Sequence, residues 1–235
     1  MIELSDITLR RGEGFRLSVP AMRFKPGKYY MIIGPSGSGK STLLEAIMGK
    51  RKTDRGNVLR HIGSEKYDVG CPKAQKGILL LSQRNDLWPH MDVLSHLRFV
   101  LNRGNPYKRH AKEEYFLEKF GLRHRAKNRP EDLSWGERRR LSLARAVAFE
   151  PEYLMLDEPF ASIDMVQARE LNELLFSIVD KKKSCIVQVT HYPFLPGNFE
   201  NILLVENGKA VTVSTVEELK NLSEWSKKWT ELFVK

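Results

Sequence analysis

The sequence is poor in cysteine and has no long apolar run. Cys71 and Cys185 are the only cysteines in 235 residues, and neither belongs to a paired Cys/His spacing. That argues against a disulfide framework or a cysteine-based zinc site and for a reducing compartment. No segment approaches the roughly 18 consecutive apolar residues of a membrane span. The opening stretch MIELSDITLR carries charges where a secretory signal would need an apolar run, so a soluble chain without a leader is expected. Internal repeats, low-complexity tracts and long Gly/Pro/Ser tethers are also missing, which favours one core with a subdomain over two tethered domains. Acidic residues are outnumbered, 29 against 39 basic, for a net charge of +10. Such a balance suits a negative partner: anionic headgroups, nucleic acid or nucleotide phosphates. The basic clusters KRHAK, RHRAKNR, RRR and KKK lack the interleaved aromatics of a single-strand binding surface and read as solvated faces.

The hydrophobic share, 41%, is enough for a sizeable core. IELSDITLR and FRLSV flank the glycine-bearing RGEG, and NILLVENGKAVTV sets Asn207-Gly208 between two apolar runs, so both predict hairpins. Between them lie buried-type strands, YYMIIG, GILLLSQ, YLMLDEP and CIVQVTH, alternating with helical stretches as in a parallel α/β sheet. In MVQARELNELLFSIVD the residues Leu171, Leu174, Leu175, Ile178 and Val179 follow helical spacing and predict an apolar face against the sheet. From about residue 85 to 145 the chain reads as an inserted helical subdomain. Over about 212–235, Leu219, Leu222, Trp225, Trp229 and Leu232 recur at three- and four-residue steps, predicting one amphipathic helix docked on the core.

IIGPSGSGKST carries Gly34, Gly39, Lys40 and Ser41 at the GxxxxGK[ST] spacing, directly after a strand and before helical TLLEAIMG. In such a loop, spanning Gly34, Pro35, Ser36, Gly37, Ser38, Gly39, Lys40, Ser41 and Thr42, the amides from Gly37 to Thr42 converge on phosphate. Lys40 would reach the β- and γ-phosphates, and the Ser41 hydroxyl would ligate Mg²⁺. YLMLDEP then delivers Asp157 and Glu158 to the carboxyl edge of the sheet, where α/β folds bind ligands. Asp157 would hold Mg²⁺ through its water shell, and Glu158 would polarise the attacking water.

The order of these motifs resembles the nucleotide-binding subunit of ATP-binding cassette (ABC) transporters over nearly the whole chain. The matching elements are the phosphate loop, Gln83 after GILLLS, the signature-like LSWGE from Leu133 to Glu137, LMLDEP, ASID at Ala161 to Asp164, and His191 in VTHYP. The resemblance implies a P-loop NTPase core with a parallel sheet, an N-terminal antiparallel β part and the helical subdomain. It implies an ATPase that takes ATP and Mg²⁺ and closes as a head-to-tail dimer. Each ATP would lie between the phosphate loop of one subunit and the signature of the other. By the same resemblance Gln83 senses the γ-phosphate and Mg²⁺, His191 contacts the γ-phosphate and positions water, and Asp164 couples the two sites. The bland alternatives are a strand-end polar residue, a strand cap and the N-cap of the next helix, respectively.

LSWGE is at once a capping-box pattern, Ser134 with Glu137, and the place of the family's LSGGQ. Ser134 and Gly136 keep the positions that meet the γ-phosphate across the dimer. Trp135 replaces the first glycine and is expected to be tolerated by pointing away from ATP. Glu137 replaces the usual glutamine, as in lipoprotein-extracting and macrolide-type exporters. The family's adenine-stacking aromatic aligns at Arg11, with Phe15 the nearest aromatic, so either could serve.

The partners implied are integral-membrane permease subunits, reached from the cytoplasmic face, and a second ABC subunit of the same kind, with a solute-binding protein as a further candidate. QRNDLWPHMDVLSHLRFVL resembles the segment of polar amino-acid importers that receives a permease helix; Leu87, Trp88 and Met91, expected to be exposed, would suit such a groove, the alternative being that each packs within the helical subdomain. Glu137 leans toward exporters, so direction stays open. The competing readings are a soluble ABC ATPase on nucleic acid or ribosomes, and a degenerate half of a heterodimer. The first usually carries coiled-coil, zinc-bearing or duplicated segments, and none is present.

Overall fold

The computed structural model describes residues 1–12, 14–83, 87–102, 106–161, 163–179, 184–191 and 199–232, with backbone alone for 11 and 106–110. The chain runs β1 (Ile2–Arg11), β2 (Phe15–Val19), β3 (Met22–Phe24), β4 (Tyr29–Ile33), α1 (Lys40–Ile47), β5 (Arg55–Ile62), β6 (Glu65–Asp68), α2 (Pro72–Gln75) and β7 (Ile78–Leu81). It continues through α3 (Val93–Leu101), α4 (Pro106–Lys119), α5 (Trp135–Ala148), β8 (Tyr153–Asp157), α6 (Met165–Ile178), β9 (Cys185–Val189), β10 (Asn201–Glu206), β11 (Lys209–Val213), α7 (Val216–Lys220) and α8 (Glu224–Glu231). These residues form two compact units, Met1–Leu80 with Glu152–Glu158 and Lys181–Lys235, and Leu81–Pro151 with Pro159–Asp180.

The sheet has the order β6-β5-β1-β2-β11-β10-β4-β9-β8-β7, with β3 on β1. Its two halves differ in chemistry. β10, β4, β9 and β8 run parallel; β4 and β9 are buried at every residue. A strand covered on both faces shows a near-continuous apolar run rather than alternation, which is why these were readable as strands. The other half is antiparallel, built from the β1–β2 hairpin, β3, β5 and β6. The β10–β11 hairpin, joined at Asn207–Gly208, connects the halves, with β11 pairing β2. β3, β5 and β6 were not anticipated. β5 (RGNVLRHI) is charged, and its buried Arg60 donates to the carbonyls of Ala74 and Lys76 and to Glu152, each at 2.5 Å. A strand whose inward residue is an arginine gives no alternation signal.

The tail departs from the expected single helix. β11 reaches Val213, and the rest divides into α7 and α8 at Asn221–Ser223, where the Ser223 hydroxyl accepts the Ser226 amide at 3.1 Å and starts a new helix. Leu219 and Trp229 are buried, whereas Leu222 and Leu232 are exposed. Among the described residues no helix is long and apolar enough to cross a membrane.

In the second unit α3, capped by Asp92 accepting the Ser95 amide at 2.6 Å, packs against α4 and α5. α6 belongs to this unit and packs against α5. Arg139 on α5 is 1% exposed; its Nε donates to the Pro159 carbonyl and its Nη1 to that of Ser82 at 2.9 Å. A guanidinium cannot discharge by losing a proton, so its burial is tolerable only with such acceptors. Arg139→Leu is expected to lower the unfolding free energy by about 2–4 kcal/mol, since both carbonyls lose this donor. Urea titration followed by circular dichroism measures it, and an unchanged midpoint would mean that the two bonds contribute nothing net.

Candidate active site

Three adjacent parallel strands end at one edge, and their registers fix what meets there. Ile32 of β4 is level with Val189 of β9, and Val189 is level with Asp157 of β8. Beyond those ends, Thr190 N–H donates to the Ile32 carbonyl at 3.1 Å and Glu158 N–H to the Val189 carbonyl at 3.0 Å. The loop from Gly34 to Thr42, the acids Asp157 and Glu158, and His191 are therefore brought together in the first unit.

The loop's shape follows from two close approaches. A Cβ at Gly34 would overlap the Val205 carbonyl of β10, and one at Gly39, at φ 102°, would overlap the ring of Phe15. Glycine at both positions is a packing requirement as well as a conformational one. Gly39 then starts α1, whose first residues are Lys40 and Ser41. The Lys40 ammonium is folded onto the loop, donating to the Gly34 and Pro35 carbonyls at 2.9 Å each. Burial pulls its pKa below the ordinary lysine value, while the nearby charges of Glu158 and Asp157 pull it up.

Ser41 Oγ donates to Asp157 Oδ1 at 3.0 Å. Burial pushes the Asp157 carboxyl above its ordinary range; the Ser41 hydrogen bond opposes this and the Glu158 charge adds to it. Glu158 sits at φ 48°, in the left-handed region. A non-glycine residue there costs roughly 1–2 kcal/mol, a form of strain that clusters at functional sites. His191 Nδ1 lies 2.7 Å from Glu158 Oε2. Hydroxyl, carboxylates, imidazole and ammonium thus share one edge, which combines hard oxygen donors with a candidate base.

Of the two adenine candidates, Phe15 is half-buried, packs on the core and covers Gly39. The Arg11 side chain lies outside the described residues.

The remaining predicted residues belong to the second unit. Gln83 follows β7 and is exposed. Asp164 caps α6 by accepting the Gln167 amide at 3.0 Å. In LSWGE, Leu133 is buried and the capping box is formed: Ser134 Oγ accepts the Glu137 amide at 3.2 Å, and Glu137 Oε2 accepts the Ser134 amide at 2.8 Å. Glu137 is buried and its other oxygen accepts from Arg125 Nε at 2.9 Å. Trp135 is the first residue of α5, has no positive φ and is 44% exposed. Gly136 is helical as well, and a Cβ there would meet Gln167 and Arg140 at 3.6 and 3.7 Å, ordinary contact. The fold by itself requires glycine at neither place.

Two participants were not visible in the sequence. Arg125, anchoring Glu137, sits in a basic run that reads as surface. Trp229 of α8 donates its indole N–H to the His191 carbonyl at 2.8 Å, and its helical spacing indicates only a buried face.

A family model described as ABC transporter matches residues 17–161. The chain is 34% identical over 229 residues to a probable sulfate/thiosulfate import ATP-binding protein of Chlorella vulgaris, covering 94% of this chain and 93% of that protein. It is 32% identical to a molybdate/tungstate import ATP-binding protein of Archaeoglobus fulgidus, covering 89% and 86%. It is also 32% identical to a sulfate/thiosulfate import ATP-binding protein of Synechocystis, of which it spans 61%. Among solved structures, a dimeric bacterial ABC transporter cassette superposes with a TM-score of 0.74 at 25% identity, over 91% of this chain and 98% of that one. A dimeric post-hydrolysis cassette with ADP and Pi gives 0.73 at 24%.

The start of α5 carries a pH dependence. The backbone N–H of Ser134 first, and the Arg125 guanidinium after it, hold the Glu137 carboxyl down at about 2 despite its burial, against an ordinary 4.5. A depressed carboxylate stabilises the fold fully above its unfolded value and loses that contribution as pH falls through the folded one. The difference in melting temperature between the parent and Glu137→Gln should therefore be widest above about pH 5 and shrink steadily between about pH 4.5 and 2. Thermal melts across that range check it, and a constant difference would contradict the ionic anchor.

Proposed function

This chain belongs to the ABC transporter family, and from that premise we propose that it is the ATPase of an importer, driving solute through separate membrane permease subunits by ATP-dependent closure of a cassette dimer. The observation that carries the reading is the edge itself: a phosphate loop with a buried lysine, a serine–aspartate pair at 3.0 Å and a glutamate–histidine pair at 2.7 Å. We read the whole chain as one ABC ATPase domain, the second unit being its helical subdomain and signature carrier.

In this reading the loop amides from Gly37 to Thr42 hold the triphosphate, and Lys40 exchanges its loop carbonyls for the β- and γ-phosphates. Phe15, which covers Gly39, and Arg11 are the two candidates to stack on the base. The Ser41–Asp157 pair fits Mg²⁺: two hard oxygens, one exposed hydroxyl and one carboxylate, at a site that phosphate and water would complete. These two residues would hold the ion, which supplies neutralisation of phosphate charge. Glu158 takes the proton of the water that attacks the γ-phosphate. His191 orients that carboxylate and contacts the phosphate. Ser134 and Gly136 of a second, identical copy close the site, with Leu133, Trp135 and Glu137 shaping the helix start that presents them, and Asp164 couples the two sites.

Import is supported by similarity spread over nearly the full length to import ATP-binding proteins. Comparable identity links the chain to relatives named for sulfate/thiosulfate, molybdate/tungstate and thiamine. Likeness at that level follows the motor rather than the cargo, and the solute is assigned to the permease, with a solute-binding protein upstream. The subunit would sit on the cytoplasmic face of the membrane.

Glu158→Gln, which keeps the shape of the base and removes its charge, should bind ATP without turning it over. Light scattering with ATP and Mg²⁺ is expected to show about twice the 27.2 kDa chain mass, falling back to one chain without nucleotide. Ser134→Arg in the same background should abolish the dimer. A variant that binds ATP yet stays a single chain would overturn the identical-copy reading and point to a different second cassette.

A further inference from the structure

The His191 segment leaves the sheet with its last ladder bond at Thr190, so the direction of the imidazole depends on contacts outside the strands. One comes from the far end of the chain. Trp229, 4% exposed on α8, donates Nε1–H to the His191 carbonyl oxygen at 2.8 Å. An indole N–H has no acceptor role and must find a partner when buried, so the bond ties α8 to that one backbone position. The indole is itself held: Trp225 stacks on it with ring centroids 6.1 Å apart and planes at 22°, and α8 is fixed at its start by the Ser223–Ser226 box. From His191 the contact chain continues through Nδ1 to Glu158 Oε2 at 2.7 Å.

We propose that Trp229 is a positioning residue for hydrolysis: α8 holds the His191 backbone so that its imidazole faces Glu158. The proposal rests on the hydrolytic reading of Glu158 and His191 above. Trp229 touches neither reacting atom and acts through His191. It therefore governs the chemical step rather than ATP affinity, which the loop carries.

The test uses the full chain with ATP and Mg²⁺. Trp229→Phe keeps the aromatic body and removes the donor. A bond worth about one neutral hydrogen bond predicts a kcat lowered about 3- to 10-fold, with KM for ATP within about twofold. In a His191→Ala background the same substitution should have no further effect, because the route is already cut. Trp225→Phe, which leaves the N–H in place, should stay near the parent. The proposal is overturned if Trp229→Phe leaves kcat unchanged, if it moves KM instead, or if it lowers the His191→Ala rate by the same factor as the parent's. An unaffected rate in His191→Ala would sink the hydrolytic reading instead, which separates the two failures. The parent gives a second measurement that needs no variant to fold: the Trp229 indole proton should exchange with solvent far more slowly than that of exposed Trp135. Equal exchange rates would overturn the bond on which the proposal stands. The His191 imidazole resonance should also shift in Trp229→Phe, and an unmoved resonance would count against coupling.

Discussion

The site depends on how closely β4 passes β10. At Gly34 the Val205 carbonyl occupies the volume a Cβ would need, so the strand can end there only in a glycine, and the chain must turn at once into the phosphate loop. This contact fixes β4 laterally. Its alignment with β9 is fixed by pairs from Tyr29–Ile186 to Ile32–Val189, and by the buried Tyr29 hydroxyl donating to Gln188 Oε1 at 3.0 Å. β8 then takes its register from β9. Because the side-chain period of a strand is two, a one-residue slip in either pair would turn Asp157 to the opposite face. The placement of the acids against the loop is thus inherited from the core.

Burial works against charge at this edge, and the fold supplies partners in response. It lowers the pKa of Lys40 and raises that of Asp157, each opposed by its neighbour across the loop. The two acids share a small volume that a cation would relieve. Glu158 adds a backbone cost, being left-handed without being glycine. Pro159 next to it disfavours the right-handed helical alternative, and the bond from Glu158 N–H to Val189 holds the position. A strained residue so restrained presents its carboxylate in one direction, toward His191, and α8 restrains the histidine in turn.

What the sequence revealed divides along physical lines. YYMII, YLMLD and CIVQV were legible because strands buried on both faces are predominantly apolar, the one buried polar side chain, Gln188, being answered by Tyr29. The phosphate loop was legible because its glycines are demanded by sterics at fixed spacing. β5 was not, since its inward Arg60 looks like a surface residue until Glu152, 92 positions away, is seen beside it. The break between α7 and α8 escaped because periodicity records the apolar steps and ignores the cap at Ser223. Helical spacing predicts a buried Trp229, but its indole N–H answers to a carbonyl 38 positions earlier, and no local pattern encodes that. Motifs carry chemistry that is local in sequence, whereas the bonds that orient it are set by tertiary neighbours.

The start of α5 keeps its capping bonds apart from the first free amides of the helix. The capping box consumes the Glu137 and Ser134 amides, and Glu137 turns inward to Arg125. A helix start leaves its first amides without intrahelical partners. Those of Trp135 and Gly136 are not used by the box. Trp135 follows helical dihedrals, so replacing glycine there requires no strained backbone, and its large side chain stays outside. The atoms that stabilise the helix and the atoms that would meet a phosphate are therefore different ones. That separation is what allows a tryptophan at this helix start without loss of the cap, while packing by itself does not demand glycine at Gly136.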